Sequence, residues 1–393
     1  MIDMIKPEII AFYLPQFHPF PENDNWWGKG FTEWTNVGKA RKLFPGHYQP
    51  RIPADLGYYD LRLSLIYEQQ VQLAREAGVT AFCFYEYWFG GKRLMERPLV
   101  DMIERGVPDF PFCICWANHT WTNNNWNAAA QRVERKVLIE QTYPGIDDID
   151  NRFYALLLLF FLRLFFLLFS FYRALLPAFS DKRYLRIDDR LVFVIYDYKS
   201  IPGHYPMLTR WNELARKNNL PEFYFMAYTA DPREVKHPRY NVFDNVILSN
   251  INGAFGQGHS VKRLLKDVLI NRFLHLPAHV VSYRKAIKKM LCPAFENEKV
   301  VPVVVPNWDH SPRLGTGGSI FHNSTPELFK RHLTDILLIT RQKRVVQPMI
   351  FIKSWNEWGE GNYMEPDLRF GKQYIEACRQ TINAFDWTMD GTL

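Results

Sequence analysis

Short apolar runs that favour β-strands recur along the chain and alternate with stretches of helical periodicity. Strands that alternate with helices pair in parallel, because a helical crossover returns the chain to the same edge of a sheet. The pattern therefore predicts repeated strand–helix units around one parallel sheet. The predicted strands cover residues 8–13, 80–87, 111–116, 190–196, 223–227, 242–248, 300–305 and 349–353.

Eight such strands in a chain of 393 residues favour an α/β fold of the (β/α)8 TIM-barrel type over a doubly wound sheet. Polar and aromatic residues cluster directly after the strands, where a TIM barrel builds its active site. No glycine-rich dinucleotide fingerprint follows a strand. We predict a single barrel domain over residues 1–393. Its clearest helices are predicted at residues 60–77, 206–218, 326–341 and 371–385.

Two insertions exceed what a minimal barrel needs. An apolar insertion at residues 154–176 is long enough to span a bilayer, although Arg163 interrupts it. A spanning helix would separate the two halves of the barrel, so we favour a helix packed on the barrel exterior, with a helix lying on a membrane as the alternative. A basic insertion at residues 250–298 favours a solvated helix face, with contact to anionic lipid as the alternative.

Charge and cysteine content indicate the setting of the protein. The net charge of +7 is modest and is not concentrated in a tail, so we expect no nucleic-acid partner. Five cysteines without a C-x-x-C pair indicate a reduced compartment. The first residues do not resemble a secretory signal. We expect a cytoplasmic protein, placed at the inner face of the membrane if it contacts lipid.

The strongest functional signal is a pair of carboxylates, Glu357 and Glu360, in the turn that follows the last predicted strand. A spacing of three residues in a turn brings both side chains to one side. Two nearby carboxyl groups, one a proton donor and one a base, are the minimal equipment for breaking a glycosidic bond. The alternative is that both carboxylates only bond backbone groups in a tight turn.

Aromatic and polar residues near the predicted strand ends supply candidate contacts to a sugar. Aromatic residues form 16% of the chain, and flat rings suit the apolar faces of sugars, although tryptophan also fills cores. Asn and Asp after strands can orient sugar hydroxyls or simply form turns. The candidate substrate-binding residues are Trp26, Trp27, Glu33, Trp34, Glu86, Trp116, Asn118, His119, Trp308, Asp309, Asn356 and Trp358.

We expect neither a metal nor another cofactor. No cluster of His, Asp and Cys has convincing metal-ligand spacing. Asp148 and Asp150 imitate the D-x-D of metal-dependent transferases, but no strand precedes them. The glycine-rich stretch at residues 315–319 could cradle a phosphate, although an ordinary loop explains it better.

Several longer motifs resemble the WbsX group, proteins with a domain like glycoside hydrolase family 99 that are often encoded with bacterial surface-polysaccharide genes. The resemblance covers nearly the whole chain apart from the apolar insertion and part of the basic one. The motifs are YLPQFHP at 13–19, WWGKGFTEWTNV at 26–37, GHYQP at 46–50, PADLGYYDLR at 53–62, WAN at 116–118, NWD at 307–309 and WNEWGEG at 355–361.

The resemblance implies a TIM barrel that acts on glycans through the E-x-x-E pair. In this scheme Glu357 removes the proton of a sugar 2-hydroxyl, which attacks its own anomeric carbon to give an epoxide-like intermediate. Glu360 protonates the leaving oxygen and then activates the acceptor, with net retention. Water as acceptor gives hydrolysis, and a sugar hydroxyl gives transfer. The acid would need a raised pKa and the base an ordinary one.

This chain departs from the family pattern at two positions. Related sequences often have Glu where this chain has His119, and His where it has Glu86. Both positions follow strands, so we expect both side chains to face the pocket. These departures leave the predicted catalytic pair intact and concern the sugar specificity.

Three functions are compatible with the sequence. The first is retaining cleavage or transglycosylation of a bacterial surface polysaccharide, similar to an endo-mannosidase. The second is a sugar-nucleotide-dependent glycosyltransferase of lipopolysaccharide or O-antigen biosynthesis, which lacks support from a nucleotide-binding motif. The third is a non-catalytic glycan-binding component of an assembly complex. In each case the expected ligand is an oligosaccharide or a lipid-linked glycan.

Overall fold

Eight parallel strands form a closed barrel. The computed structural model describes residues 6–123, 136–157, 178–256, 270, 275–277 and 279–387. Neighbouring strands pair in parallel in chain order, and the first strand pairs with both the second and the eighth. The prediction of a (β/α)8 TIM barrel is confirmed. The strands are β1 Glu8–Tyr13, β2 Ala81–Phe89, β3 Phe112–Trp116, β4 Arg190–Ile195, β5 Phe223–Thr229, β6 Asn245–Leu248, β7 Val300–Val304 and β8 Met349–Ile352.

Burial on both faces explains why the strands appear in the sequence as continuous apolar runs. Every residue of β3, β6, β7 and β8 is buried, with one face toward the barrel interior and the other toward the surrounding helices. The sixth strand begins three residues later than predicted, because Pro238–Val242 forms a 3-10 helix just before it.

Helices surround the barrel and fill the connections between strands. One boundary differs from the prediction for a local reason: Asp60 accepts a hydrogen bond from the backbone N–H of Arg62, so the third helix begins only at Ser64. The α-helices in the described part of the chain are Pro21–Trp27, Glu33–Lys39, Ser64–Ala77, Arg97–Arg105, Ile146–Leu157, Met207–Lys217, Ile251–Phe255, Tyr283–Met290, Ser311–Leu314, Pro326–Arg341 and Gln373–Ala384.

Short strands extend several of the loops. They form a hairpin extension of β2, an antiparallel partner for β4, and three two-stranded sheets in the connecting loops. These strands are Lys92–Leu94, Arg186–Ile187, Trp121–Thr122 with Val137–Ile139, His279–Ser282 with Ser319–His322, and Asn356–Glu357 with Asn362–Tyr363.

A buried charged layer separates β2 and β3 from the helix Ile146–Leu157. The guanidinium carbon of Arg152 lies 3.6 Å from the ring centroid of Trp116. One nitrogen of Arg152 lies 3.5 Å from a carboxylate oxygen of Glu86, and Arg93 lies 3.5 Å from the other oxygen. Arg152, Glu86 and Trp116 are all buried.

This layer corrects the expectation that Glu86 faces the pocket. β2 continues to Phe89, so Glu86 lies within the strand and not after it. Side chains alternate along a strand, and Tyr85 points toward the buried Lys353 at the barrel mouth. Glu86 therefore points to the opposite side, toward the outer helices, and Trp116 shares that outer layer.

The ends of the apolar insertion are fixed to the barrel wall. The buried rings of Phe153 and Phe179 lie 5.7 Å apart, on the two sides of the insertion. The body of the insertion, residues 158–177, lies outside the described residues, so the predictions for it remain open. Within the part of the chain that the structure describes, none of the helices is both long and apolar enough to cross a bilayer.

The basic insertion contributes short elements beside the barrel mouth. The helix Tyr283–Met290 buries its apolar residues and exposes Arg284, Lys285, Lys288 and Lys289. Most of residues 257–278 lie outside the described residues, including the predicted basic positions 262–272. The division of the chain into one domain with two insertions stays a prediction.

We predict that replacing Arg152 with Met lowers the free energy of unfolding by about 3–5 kcal/mol, because Glu86 loses a buried partner. The double variant Glu86→Gln/Arg152→Met should recover part of this loss, since the buried carboxylate is removed together with Arg152, while Arg93 loses its contact with that carboxylate. Urea unfolding of the wild type and both variants measures the difference. Equal destabilisation by the single and double variants would contradict this explanation.

Candidate active site

The two predicted catalytic carboxylates lie in a tight turn that β8 presents at the carboxyl end of the barrel. Ser354 Oγ accepts a hydrogen bond from the backbone N–H of Glu357 at 3.0 Å, and Asn356–Glu357 pairs with Asn362–Tyr363 across the turn. The turn closes at Gly361, which has a φ of +55°, and a Cβ there would lie 2.7 Å from Asp309 Cβ. Glycine at this position is therefore a steric requirement.

Arg313 joins the two carboxylates to a third one. Its Nε and Nη2 donate to the two oxygens of Glu33 at 3.0 and 2.9 Å, which is a bidentate pair. Its Nη1 donates to Glu360 Oε1 at 2.5 Å and lies 3.6 Å from Glu357 Oε1. One guanidinium thus contacts three carboxylates, and Glu33 is completely buried beneath it.

Glu357 is the more deeply buried member of the pair. Its Oε2 accepts a hydrogen bond from Lys353 Nζ at 3.1 Å, and its side chain is 7% exposed. Burial raises the pKa of Glu357, the nearby Glu360 raises it further, and Lys353 and Arg313 offset only part of the increase. The pKa of Glu357 therefore lies above its ordinary value.

Glu360 has the opposite electrostatic environment. His310 Nε2 lies 3.0 Å from Glu360 Oε1, the same oxygen that Arg313 contacts. Burial alone would raise the pKa of Glu360, but His310 and Arg313 outweigh it and hold this pKa well below its ordinary value. The pKa of Glu357 is thus raised and that of Glu360 is lowered. This order is the reverse of the one expected if Glu357 is the base and Glu360 is the acid.

Aromatic rings surround the buried cation beside Glu357. Lys353 Nζ lies 5.5 to 5.9 Å from the ring centroids of Tyr85, Tyr196 and Trp308. Tyr196 stacks on Tyr228 with ring centroids 4.5 Å apart. Burial lowers the pKa of Lys353, but Glu357 and the nearby tyrosines outweigh it, so the amine stays charged. Trp308 is therefore a predicted binding residue that lies beside this cation.

Asp309 lies behind the turn that carries Glu357 and Glu360, and it is fully buried. Its Oδ2 accepts hydrogen bonds from His47 Nε2 and Gln49 Nε2 at 2.8 and 2.7 Å, and its Oδ1 accepts the backbone N–H of Ser311 at 2.9 Å. Burial opposes ionisation of Asp309, but His47 and Arg51 lower its pKa below the ordinary value. In this position Asp309 supports the turn, and its contact with a sugar stays a prediction.

A second supporting layer holds Asn356 and Trp358 below the pair. Asn356 bonds the backbone of Leu14 through both ends of its amide, and Trp358 Nε1 donates to Glu365 at 2.7 Å. Burial raises the pKa of Glu365 to about 7, although the bonds from Trp358 and Gln70 oppose the increase. Both predicted binding residues are buried, so their direct contact with a substrate stays a prediction.

The remaining predicted tryptophans are partly exposed and lie on the loop after β1. Trp34 packs on Trp358 at 5.5 Å and donates from Nε1 to the carbonyl of Tyr59 at 2.7 Å. Trp26 packs edge-on against Trp121, and Trp27 against Phe31, each at 5.9 Å. These contacts with the protein leave part of each ring open to a ligand.

The loop after β3 places Asn118 and His119 differently. Asn118 is buried and clamps the loop to Asp197, accepting that residue's N–H and donating to its carbonyl at 2.8 and 2.7 Å. His119 lies beside Tyr196, with ring centroids 6.0 Å apart, and burial lowers the pKa of His119. Of the two, only His119 presents a partly exposed side chain near the pair.

Sequence reasoning missed Arg313, Lys353 and His310. Lys353 ends an apolar strand, where a charged residue signals a polar environment at the barrel mouth. Arg313 and His310 lie in the connection after β7, and no spacing in the sequence links them to a turn some fifty residues later. In the described ranges, no group of three His, Cys, Asp or Glu side chains has the geometry to hold a metal ion.

Comparisons with known proteins identify the family of this chain. The model of the family described as "Glycosyltransferase WbsX" matches residues 9–163 and 168–378. The protein WxcX of Xanthomonas campestris pathovar campestris, described as uncharacterized, is 34% identical over 390 residues, and its copy in a second strain matches equally. The match covers 97% of this chain and 50% of WxcX, so the chain spans about half the length of these relatives.

Solved structures share the fold at low sequence identity. A glycoside hydrolase-like protein superposes with a TM-score of 0.58 at 14% identity, covering 97% of this chain and 96% of that protein. A glycoside hydrolase family 99 endo-α-mannosidase of Bacteroides thetaiotaomicron superposes with a TM-score of 0.52, also at 14% identity and over 96% of each chain. These similarities show a common fold.

We predict that Gly359→Ala displaces the Glu33–Arg313 pair, because an added Cβ would lie 1.5 Å from Glu33 Oε1. Such overpacking should lower the free energy of unfolding by about 1–3 kcal/mol. Gly38→Ala is the matched control, since a Cβ there meets no atom within 4 Å and Gly38 lies in the helix Glu33–Lys39. Urea unfolding and a crystal structure of Gly359→Ala test this, and an unmoved Glu33 would refute it.

Proposed function

Because this chain belongs to the WbsX glycosyltransferase family, a family of carbohydrate-active enzymes, we propose that it cleaves or transfers a glycosidic bond with net retention through Glu357 and Glu360. The observation that carries the proposal is the shared contact of both carboxylates with Arg313. Two carboxyl groups with pKa values pushed apart are the arrangement that acid–base chemistry at a glycosidic bond requires.

In the proposed first step, Glu357 takes the proton of the sugar 2-hydroxyl. The 2-oxygen forms a bond to the anomeric carbon of the same ring as the bond to the leaving oxygen breaks. Glu360 gives its proton to the leaving oxygen, so charge and atoms balance. Opening of the epoxide-like intermediate by an acceptor reverses both proton transfers, and two inversions give net retention.

Glu360 must carry a proton when the first step begins, although Arg313 and His310 favour its ionised form. We propose that this proton arrives through His310, whose Nε2 lies 3.0 Å from Glu360 Oε1 and whose side chain is 23% exposed. A bound sugar would exclude water from the turn. Glu360 therefore needs a path for proton exchange with solvent at the exposed edge of the turn. His310 is the titratable neighbour of Glu360 that has contact with solvent.

The proposed substrate is a bacterial surface polysaccharide or its lipid-linked precursor, cleaved or extended within the chain as an endo-mannosidase would do. The resemblance to the polysaccharide-associated WbsX group supports the class of substrate, and the shared fold with an endo-α-mannosidase supports the mode of attack. The aromatic wall formed by Tyr85, Tyr196 and Trp308 offers ring faces beside the pair.

A sugar-nucleotide-dependent glycosyltransferase is the second candidate, because the family carries that description. Its chemistry would place a nucleoside diphosphate as the leaving group. The arginine nearest the pair, Arg313, is committed to Glu33 and Glu360, so a diphosphate would have to compete with two carboxylates for it. A hydroxyl leaving group fits this charge distribution better.

We further propose a cytoplasmic location with peripheral contact to the membrane's inner face. The helix Tyr283–Met290 is fixed at both ends beside the barrel mouth: Tyr283 Oη donates to the carbonyl of Val305 at 2.5 Å, and Asn250 donates to that of Met290 at 2.8 Å. Its four exposed basic residues would bring the mouth toward anionic lipid, where a lipid-linked glycan is found.

We predict that Glu357→Gln and Glu360→Gln each lower kcat/KM on an oligosaccharide by about 10²–10⁴-fold, the usual contribution of an acid–base group. Fluoride needs little protonation to leave, so glycosyl fluorides should rescue Glu360→Gln and not Glu357→Gln. A panel of α- and β-hexosyl fluorides, read by fluoride release, identifies the sugar. The exposed Glu68→Gln, on the helix Ser64–Ala77, is the control.

Unchanged turnover by both variants would exclude the carboxylate mechanism. Activity that depends on a sugar nucleotide and a divalent ion would favour the glycosyltransferase. Glycan binding without turnover in the wild type would favour a non-catalytic role.

We predict that replacing Arg284, Lys285, Lys288 and Lys289 with Gln abolishes flotation with phosphatidylglycerol vesicles, since each basic residue near an anionic surface contributes about 1 kcal/mol. Phosphatidylcholine vesicles should bind neither form. A control with the same charge change replaces the exposed Lys217, Lys236, Arg331 and Arg344. Equal flotation of both quadruple variants would refute docking through this helix.

A further inference from the structure

Arg313 lies at unequal distances from the two carboxylates, and this difference bears on which of them is ionised after the glycosidic bond breaks. Its Nη1 lies 2.5 Å from Glu360 Oε1 but 3.6 Å from Glu357 Oε1. Glu357 has its own cation, Lys353, at 3.1 Å, and Glu360 is also approached by His310 at 3.0 Å. The closest cation contact in the pair therefore falls on Glu360.

Glu33 fixes the position of this guanidinium. The carboxylate of Glu33 is completely buried at the start of the helix Glu33–Lys39, where the N–H of Glu33 bonds the carbonyl of Gln16 at 3.2 Å. It takes two of the three coplanar nitrogens of Arg313, which leaves Nη1 as the nitrogen that faces the pair. A Cβ on Gly359 would overlap the Glu33 carboxylate, so the turn packs against this carboxylate only with glycine at position 359.

We infer that Arg313, held by Glu33, is a positioning residue that stabilises the charge distribution reached after the glycosidic bond breaks, with Glu360 ionised and Glu357 protonated. This inference rests on the proposed function of the pair. Before the first step the proton is on Glu360 and the charge on Glu357, and after it the two have exchanged. The guanidinium lies where the negative charge arrives.

A cation placed in this way accelerates bond cleavage and not binding. Interactions that strengthen as the transition state forms lower the barrier, whereas those made equally before and after it do not. Arg313 gains a full ionic contact with Glu360 as the leaving oxygen takes the proton, and it was already oriented by Glu33. Burial and the nearby Glu360 raise the pKa of Glu357, whereas His310 and Arg313 lower that of Glu360.

Several other groups lie near the pair or its cations. They come from the loops after β1, β3, β4, β7 and β8 and from β2 and β5. These groups are Glu33, Tyr85, Tyr87, His119, Tyr196, Tyr228, His310 and Lys353.

The first test compares leaving groups. We expect Arg313→Gln to lower kcat on an alkyl glycoside about 10²–10³-fold, as for the loss of one oriented donor to a developing anion. On the fluoride of the same sugar the loss should be about tenfold or less, because the leaving fluoride needs no proton from Glu360 in the first step. KM should change little. Arg313→Lys keeps the charge but loses the fork to Glu33, and it should fall between the wild type and Arg313→Gln.

The second test is independent of turnover. In protein labelled with carboxyl-¹³C glutamate, with Glu357 and Glu360 assigned through their Gln variants, Arg313→Gln should raise the NMR titration midpoint of Glu360 by about one to three pH units. Both limbs of the pH–rate profile should move to higher pH as well. Glu33→Gln should produce a smaller shift in the same direction.

Arg51→Gln is the control for a purely structural loss. Arg51 is buried behind the same turn and donates to the carbonyl of Gly361 at 3.2 Å. It should lower stability without moving the titration of Glu360. The inference is overturned if the Arg313→Gln variant, shown by urea unfolding to be folded, leaves the titration midpoint of Glu360 unchanged. It is also overturned if this variant loses activity equally on the alkyl glycoside and the fluoride.

The outcomes separate this inference from the function on which it rests. If Glu357→Gln and Glu360→Gln retain full turnover, the proposed function fails, whatever Arg313 does. If those variants are inactive while the Glu360 midpoint ignores Arg313, only the positioning role fails.

Discussion

A buried fork between Arg313 and Glu33 determines how the mouth of this barrel is arranged. It connects the loop after β1, the connection after β7 and the turn after β8, three segments that are far apart in the chain. A buried ion pair needs its remaining hydrogen-bonding groups satisfied to offset the loss of solvation. Here the third nitrogen meets Glu360, so the same guanidinium that ties the loops together also sets the charge of the candidate catalytic pair.

The layer below this fork contains predicted binding residues that hold the turn, and their contact with a ligand stays a prediction. Asp309 is saturated by His47, Gln49 and a backbone N–H, and Trp358 is fixed by Glu365. Such fully bonded buried groups give the turn a single geometry. This is consistent with a site in which small differences in distance decide which carboxylate is ionised. Motifs such as NWD and WNEWGEG thus contain both residues of the candidate site and the buried residues that hold them in place.

A second group of buried charged residues lies on the outer side of the barrel. Arg152 lies on the ring of Trp116 and next to Glu86, in a region that the alternation of β2 separates from the mouth. The same helix, Ile146–Leu157, leads into the apolar insertion, whose two ends meet at the rings of Phe153 and Phe179. The insertion thus leaves and rejoins the barrel at one place, which explains how a family barrel can carry it without a change in strand order.

The sequence by itself determined the strands, the barrel and the carboxylate pair, because each depends on local patterns: apolar runs buried on both faces, and two glutamates within one turn. The sequence could not show which face of the sheet a side chain occupies or which distant residues it contacts. Glu86 was expected at the pocket, but the alternation of side chains along β2, which continues to Phe89, turns it outward. Arg313, Lys353 and His310 became visible only when closure of the barrel brought the ends of β7 and β8 together. The pKa order of Glu357 and Glu360 follows from those long-range neighbours and from burial, and neither is encoded in spacing along the chain.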